Sequence, residues 1–254
     1  MRTTQRILGA TMALMLAAAT HAQSAQSPGA AATVVLVHGA LIDGSSWRGV
    51  YDVLSKDGYR VSIVQPPLTG LEEDVAATRR VLDQLDGPVI LVGNSYGGSI
   101  ITVAGNDPKV KALVYVAALQ PDIGETSAEA APPMKQASND LRPAKDGFIF
   151  LDPAKFAADV GADLPKATAE FMARSQMPIL GAAFNSKLSV AAWHDKPSYA
   201  IIATEDRSLD SGAVRRMANR AGSKVTVIKG GHLIHISQPR AVARVIETAA
   251  RAVR

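Results

Sequence analysis

The chain reads as an α/β fold: a mostly parallel central sheet flanked by helices, with a helical cap inserted between two strands. Three observations predict it. Short branched apolar runs, each closed by a glycine or a turn, alternate with longer stretches whose apolar residues recur at helical spacing. Such alternation needs crossover connections, and so parallel strands covered on both faces. The rhythm breaks between about residues 120 and 197 and then resumes, and 254 residues suit one domain carrying such an insertion.

The first 22 residues stand apart from that pattern. Arg2 and Arg6 make a basic start, "ILGATMALMLAAA" is a short apolar run, and Thr20-His21-Ala22 offers small residues for cleavage. This is the layout of a secretory signal peptide, and the run falls short of the ~20 apolar residues of a spanning helix. A periplasmic or secreted protein without a stable membrane anchor is expected. Residues 23–31 form a polar linker, leaving 32–254 as the folded domain. The chain has no cysteine, so its core alone must stabilise it. Without Arg2 and Arg6 it carries 25 basic against 23 acidic residues, a balance of +2 with no basic cluster, which argues against a nucleic-acid partner.

Each element follows from its residues. "TVVLVHG" is a buried-strand run ending in glycine. "SSWRGVYDVLSKDG" places Trp47, Val50, Tyr51 and Leu54 at helical spacing, with Ser45 or Ser46 as N-cap and Gly58 as stop. "YRVSIVQPP" is the next strand. In "TGLEEDVAATRRVLDQLDG", Thr69 and Glu72 fit a capping box. Strand "PVILVG", helix "GGSIITVAGND" and strand "VKALVYVAAL" follow. The interruption holds helical patches, "DPAKFAADV" and "ATAEFMARSQ", and reads as a cap over the site. Beyond it come strand "SYAIIATED", helix "SGAVRRMANRAG", strand "KVTVIKG" and the amphipathic helix "PRAVARVIETAARAV".

Chemistry is expected where a strand ends. Ser95, in "PVILVGNSYGGSI", sits between a strand and a helix within Gly-x-Ser-x-Gly. That context makes a nucleophile elbow: a sharp turn holds the serine in a strained conformation and the glycines permit close packing. A helix-capping serine is the plainer alternative. A serine hydroxyl needs a base. In the chain order nucleophile, acid, histidine, the base lies after the last strand, at His232 or His235 in "KGGHLIHISQP". Gly230 and Gly231 give the loop before His232 freedom, and His235 reads as a packed histidine. The carboxylate should follow the next-to-last strand, where Asp206, Glu205 and Asp210 stand; Asp210 reads more simply as a helix N-terminal residue. Two backbone amides should meet the oxyanion, those of Tyr96 and of Ala40 after "VLVHG". His38 then packs that loop. A His-x-x-His metal pair lacks further ligands.

Together, "VLVHGA", "DGSSW", "GNSYGG", "ATED" and "GGHLIHISQP" make the chain resemble the α/β-hydrolase superfamily over nearly its whole mature length. Within it, the chain is similar to small esterases related to plant methyl esterases and hydroxynitrile lyases, and to bacterial salicylate-esterase-like and pyrethroid-hydrolase-like proteins. The resemblance implies Ser95 as nucleophile, Asp206 rather than Glu205 as acid, His232 as base, and Ala40 with Tyr96 as oxyanion amides, with no cofactor or metal. Asn94 departs from the histidine common before the nucleophile. In the lyases a lysine follows the catalytic histidine and a threonine stands where this chain has Gly39; here Leu233 follows His232.

The expected function is serine hydrolysis of small carboxylic esters through an acyl-enzyme. A hydroxynitrile lyase or other carbon–carbon bond-cleaving enzyme is the first alternative, and a non-catalytic binding protein of the same fold is the second. Apolar cap residues are expected to line the substrate site, chiefly Met177, Phe184 and Trp193, alongside Phe148, Phe150, Phe156, Phe171 and Met172.

Overall fold

A computed structural model of the protein describes residues 32–131, 134 and 139–253. The expected signal peptide (1–22) and linker (23–31) lie outside the described residues. Strand β1 (Thr33–Val37) is buried at every position, as a run of branched residues at a sheet centre must be. An unexpected 3₁₀ turn, Gly44–Trp47, precedes helix α1 (Arg48–Lys56). Its N-cap is Asp43, whose carboxylate accepts from Ser45 N–H, and not Ser45 or Ser46. Gly58, at φ 85°, ends the helix as expected.

After β2 (Val61–Val64), helix α2 (Leu71–Asp83) begins at Leu71 with Gly70 as N-cap. The Thr69–Glu72 capping box is therefore not formed. Asp74, in the first turn, instead folds inward and accepts from Leu68 N–H at 2.6 Å. Strand β3 (Val89–Ser95) leads into α3 (Gly97–Ala104), and β4 (Val110–Ala118) follows.

The inserted segment contains helices, α4 (Ser127–Ala130), α5 (Phe156–Asp159) and α6 (Lys166–Arg174). It also carries a small antiparallel sheet where only helical patches were expected. Strands β5 (Leu141–Pro143), β6 (Phe148–Leu151) and β7 (Ile179–Leu180) pair in that order. The run "FIFL" is β-prone but too short for its periodicity to separate strand from helix. The Gln176 side chain extends the sheet by bonding both Leu151 N–H and Leu151 C=O.

The chain then returns through β8 (Ser198–Ala203), α7 (Ser211–Arg220), β9 (Lys224–Ile228), the short α8 (Ile234–Ser237) and α9 (Pro239–Arg251). The main sheet runs β2-β1-β3-β4-β8-β9, parallel at every pairing. Val50 and Leu54 of α1 and Val242 and Ile246 of α9 cover the face bearing Val34 and Leu36. Val75 and Leu82 of α2 and Ile100 and Ile101 of α3 cover the face bearing Val35 and Val37. Each fully buried Val, Leu or Ile contributes about 1.5–3 kcal/mol relative to exposure, which suits a chain without disulfides. Among the described residues no helix is long and apolar enough to cross a membrane.

Candidate active site

The topology opens a crevice. From β1 the chain crosses to β2 on one side, then returns to β3 on the other. Connections therefore diverge beyond the carboxyl ends of β1 and β3, where ligands bind in parallel sheets. The loop from His38 leaves one of these ends, and Ser95 stands at the other.

Ser95 has φ 53°, a left-handed conformation that costs a non-glycine residue free energy and is held by its surroundings. Close packing around it needs small neighbours. A Cβ on Gly93 would lie 2.5 Å from the Gly97 carbonyl oxygen, and one on Gly98 would overlap the Leu119 carbonyl oxygen. A Cβ at position 39 would lie 2.7 Å from the Ser95 Cβ, so the loop after β1 approaches the serine only because Gly39 has no side chain.

Three expected side chains meet. Ser95 Oγ lies 2.9 Å from His232 Nε2, and His232 Nδ1 lies 2.8 Å from Asp206 Oδ2. The other Asp206 oxygen accepts from Ser208 N–H at 2.8 Å and Leu209 N–H at 2.9 Å, so the carboxylate is fixed at both ends. His232 and Asp206 are buried. Nδ1 donates to the carboxylate, which leaves Nε2 as an acceptor for the serine proton.

The rival groups lie elsewhere. Glu205 is exposed and faces Lys229 at 3.6 Å. Asp210 caps α7 through Ala213 N–H. His38 is buried, donates from Nδ1 to Gly39 C=O, and is pushed below its ordinary pKa by burial. His235 packs against Trp47 with ring centroids 4.4 Å apart, and burial pushes its pKa down to about 3. Both rings are therefore neutral packing groups near pH 7. His194 pairs with Asp122 at 2.7 Å on the surface.

Ala40 lines the crevice beside Ser95. Tyr96 is the N-cap of α3, with its backbone amide directly after the serine. Its ring is buried, and its hydroxyl donates to Asp74 Oδ2 at 2.9 Å. Burial raises the Asp74 pKa to about 6, against the lowering effect of the bonds from Tyr96 and Leu68. Sequence reasoning missed this anchor, because an aspartate in a first helical turn looks like a solvated dipole partner.

Above Ser95 lies a cavity of about 290 Å³. The cap contributes Ile149, Leu151, Phe156, Val160, Ile179 and Phe184; the body contributes Leu41, Leu119, Leu209 and Leu233. Among the described residues lining it there is no lysine or arginine. Phe184 and Phe156 thus stand where they were expected. Trp193 and Met177 do not. Trp193 is buried in the main core, where its Nε1 donates to Pro121 C=O at 2.9 Å. Met177 packs against that same core. Phe148, Phe150, Phe171 and Met172 also lie outside the lining. Asn94 does line the cavity, and its side-chain amide donates to Val116 C=O, tying β3 to β4.

Known proteins share this architecture. A carbendazim hydrolyzing esterase from Nocardioides sp. (strain SG-4G) is 36% identical over 111 residues, which span 37% of this chain and 45% of that protein. An alpha-hydroxynitrile lyase from Arabidopsis thaliana is 23% identical over 239 residues, covering 81% of this chain and 92% of that protein. A solved pyrethroid hydrolase from Sphingobium faniae JZ-2 superposes with a TM-score of 0.75 at 22% identity, covering 87% of this chain and 98% of that one. Residues 34–245 match the alpha/beta hydrolase family, from β1 into α9 and across every strand of the main sheet. The chain belongs to the alpha/beta hydrolase family.

Proposed function

We propose that this protein is a serine hydrolase that cleaves small carboxylic esters with an apolar part, through an acyl-enzyme. The observation that carries the reading is the unbroken relay from Ser95 Oγ through His232 to Asp206, at 2.9 and 2.8 Å, beneath an apolar cavity. As Ser95 Oγ attacks the ester carbonyl carbon, His232 Nε2 takes its proton. The carbonyl electron pair moves to oxygen, where the Ala40 and Tyr96 amides receive it. The intermediate collapses, and the leaving alkoxide takes the proton back from Nε2. Water, deprotonated by His232, then attacks the acyl-enzyme and releases the acid and free Ser95. Asp206 holds Nδ1–H and stabilises the imidazolium without being protonated itself. The esterase relative supports this chemistry.

A second reading, cyanohydrin cleavage, has the Arabidopsis relative in its favour. A departing cyanide needs a nearby cation, and Leu233 stands in the cavity wall directly after His232. Lys229 is exposed and paired with Glu205. The ester reading is therefore preferred. Wild type and Ser95→Ala, assayed side by side with a short aryl ester and with mandelonitrile, test it. Expected is ester turnover that falls roughly a million-fold in the variant, with negligible cyanide release. Ser95-dependent cyanide release without ester turnover would establish the lyase instead. Export, proposed from residues 1–22, is tested by the intact mass of periplasmic material, with a mature N-terminus near Gln23.

A further inference from the structure

The loop bearing His232 is held from the cap. Asp163 lies between α5 and α6, and its Oδ2 accepts from Gly231 N–H at 2.8 Å and from Ser237 Oγ at 2.6 Å. The two donors bracket His232, one residue before it and five after. Gly230 and Gly231 were expected to give this loop freedom, yet neither has a positive φ. Their role is space. A Cβ on Gly231 would lie 2.6 Å from Asp163 Oδ1 and 3.0 Å from its Cγ, and one on Gly230 would lie 3.2 Å from Oδ2. The three atoms nearest to that Gly231 Cβ all belong to Asp163. Glycine at 231, serine at 237 and aspartate at 163 thus form one device, with one member on the histidine loop, one at the end of α8 and one in the cap.

We propose that Asp163 is a positioning residue that fixes the reach of His232 toward Ser95, so that a seated cap is a condition of base catalysis. The inference rests on the role of His232 proposed above. A clamp on both sides of the histidine, to the Gly231 backbone and to the Ser237 side chain, sets where its ring stands, and the serine proton is transferred only across a short, aligned contact. Displacing a catalytic group by about 1 Å can cost on the order of 100-fold in rate. Asp163 itself does not line the cavity, so its removal takes away no direct contact with the substrate.

The test is steady-state ester kinetics on Asp163→Ala, Asp163→Asn, Ser237→Ala, Gly231→Ala and the Asp163→Ala/Gly231→Ala double variant, with Ser95→Ala as control and melting curves for each. Asp163→Ala is expected to lower kcat roughly 10- to 100-fold while KM changes less than about threefold. Asp163→Asn should recover most of kcat, since both donors meet a single oxygen that an amide carbonyl can replace. Ser237→Ala removes one bond and leaves Asp163 bonded to Gly231, so it reads a smaller kcat effect in a variant with an intact core. Gly231→Ala should be harmful in the wild type, where its methyl meets the carboxylate, and close to silent once Asp163 is alanine. Two results would overturn the proposal: wild-type kcat in both Asp163→Ala and Ser237→Ala, or an equal cost of Gly231→Ala in both backgrounds. If Ser95→Ala were active, the hydrolase reading would fail and this one with it; an inactive Ser95→Ala beside wild-type kcat in both Asp163→Ala and Ser237→Ala would refute the role of Asp163 and leave the hydrolase reading standing.

Discussion

Replacing Asp206 by asparagine exchanges one carboxylate oxygen for an NH₂ and should nearly abolish turnover. The structure dictates how the new amide must sit. Asp206 Oδ1 faces two backbone donors, Ser208 N–H at 2.8 Å and Leu209 N–H at 2.9 Å. The asparagine carbonyl must take that place, because the reverse orientation would set an NH₂ against two N–H groups and leave them unbonded, at about 1–3 kcal/mol each. The NH₂ then faces His232 Nδ1, the position now 2.8 Å from Oδ2. It can only donate there. Nδ1 becomes an acceptor, the ring proton moves to Nε2, and Nε2 presents a proton to Ser95 where it should accept one. A triad in the wrong tautomer loses about 10⁴ in kcat, which is about 5.4 kcal/mol of transition-state stabilisation. The assay is kcat on p-nitrophenyl butyrate at neutral pH, with a melting curve to establish folding. A folded Asp206→Asn protein that keeps more than a tenth of wild-type kcat would refute the reasoning. Glu205→Gln, altered only at an exposed pair with Lys229, should stay within about twofold of wild type.

Three further outcomes follow from the same geometry. Gly98→Ala should lose about 1–3 kcal/mol or more in urea unfolding, because its methyl meets the Leu119 carbonyl and backbone cannot yield as a side chain can; unchanged stability would contradict the packing argument. His235 is held neutral, with a folded pKa near 3 against an ordinary value of 6.5. Between those pH values the unfolded chain binds a proton that the folded chain refuses, so stability is lost as pH falls through that window. His235→Phe keeps a ring against Trp47 and should reduce the acid loss, read from unfolding curves at pH 7 and pH 4; an unaltered pH slope would count against it. Phe184→Ala should move ester preference toward bulkier acyl groups, whereas Trp193→Ala should cost about 3–5 kcal/mol of stability and leave the order of esters unchanged. A reordering by Trp193→Ala would mean that it contacts substrate.

The parts of the site that were legible are those tied to strand ends. Ser95 closes, and His232 closely follows, apolar runs that read as strands of one parallel sheet, so their common edge follows from parallel order. Choosing between Glu205 and Asp206 needed the end of β8. Thr204 N–H and Glu205 N–H continue to bond the β9 side at Ile228 and Gly230, so Glu205 still belongs to the ladder and Asp206 opens the loop. The cap was less legible, because docking angles leave no periodic trace. Trp193 resembled a substrate platform and proved to be core, whereas Ile149, inside a run of four apolar residues, faces the cavity. Asp74 and Asp163 were not legible as polar anchors: Asp74 ends a run of three first-turn acids that reads as a solvated dipole partner, and Asp163 is an isolated carboxylate whose donors lie about 70 residues away. The pair Gly230-Gly231 was a trace of Asp163, but glycine marks close approach and conformational freedom alike.

The central claim is that Ser95 carries the acyl group. Wild-type protein mixed with excess p-nitrophenyl butyrate, quenched in acid during turnover, digested and analysed by mass spectrometry, measures it directly. The expected result is a butyryl mass increase on the peptide containing Ser95, absent from Ser95→Ala. An unmodified Ser95 peptide, together with undiminished turnover in Ser95→Ala, would contradict it.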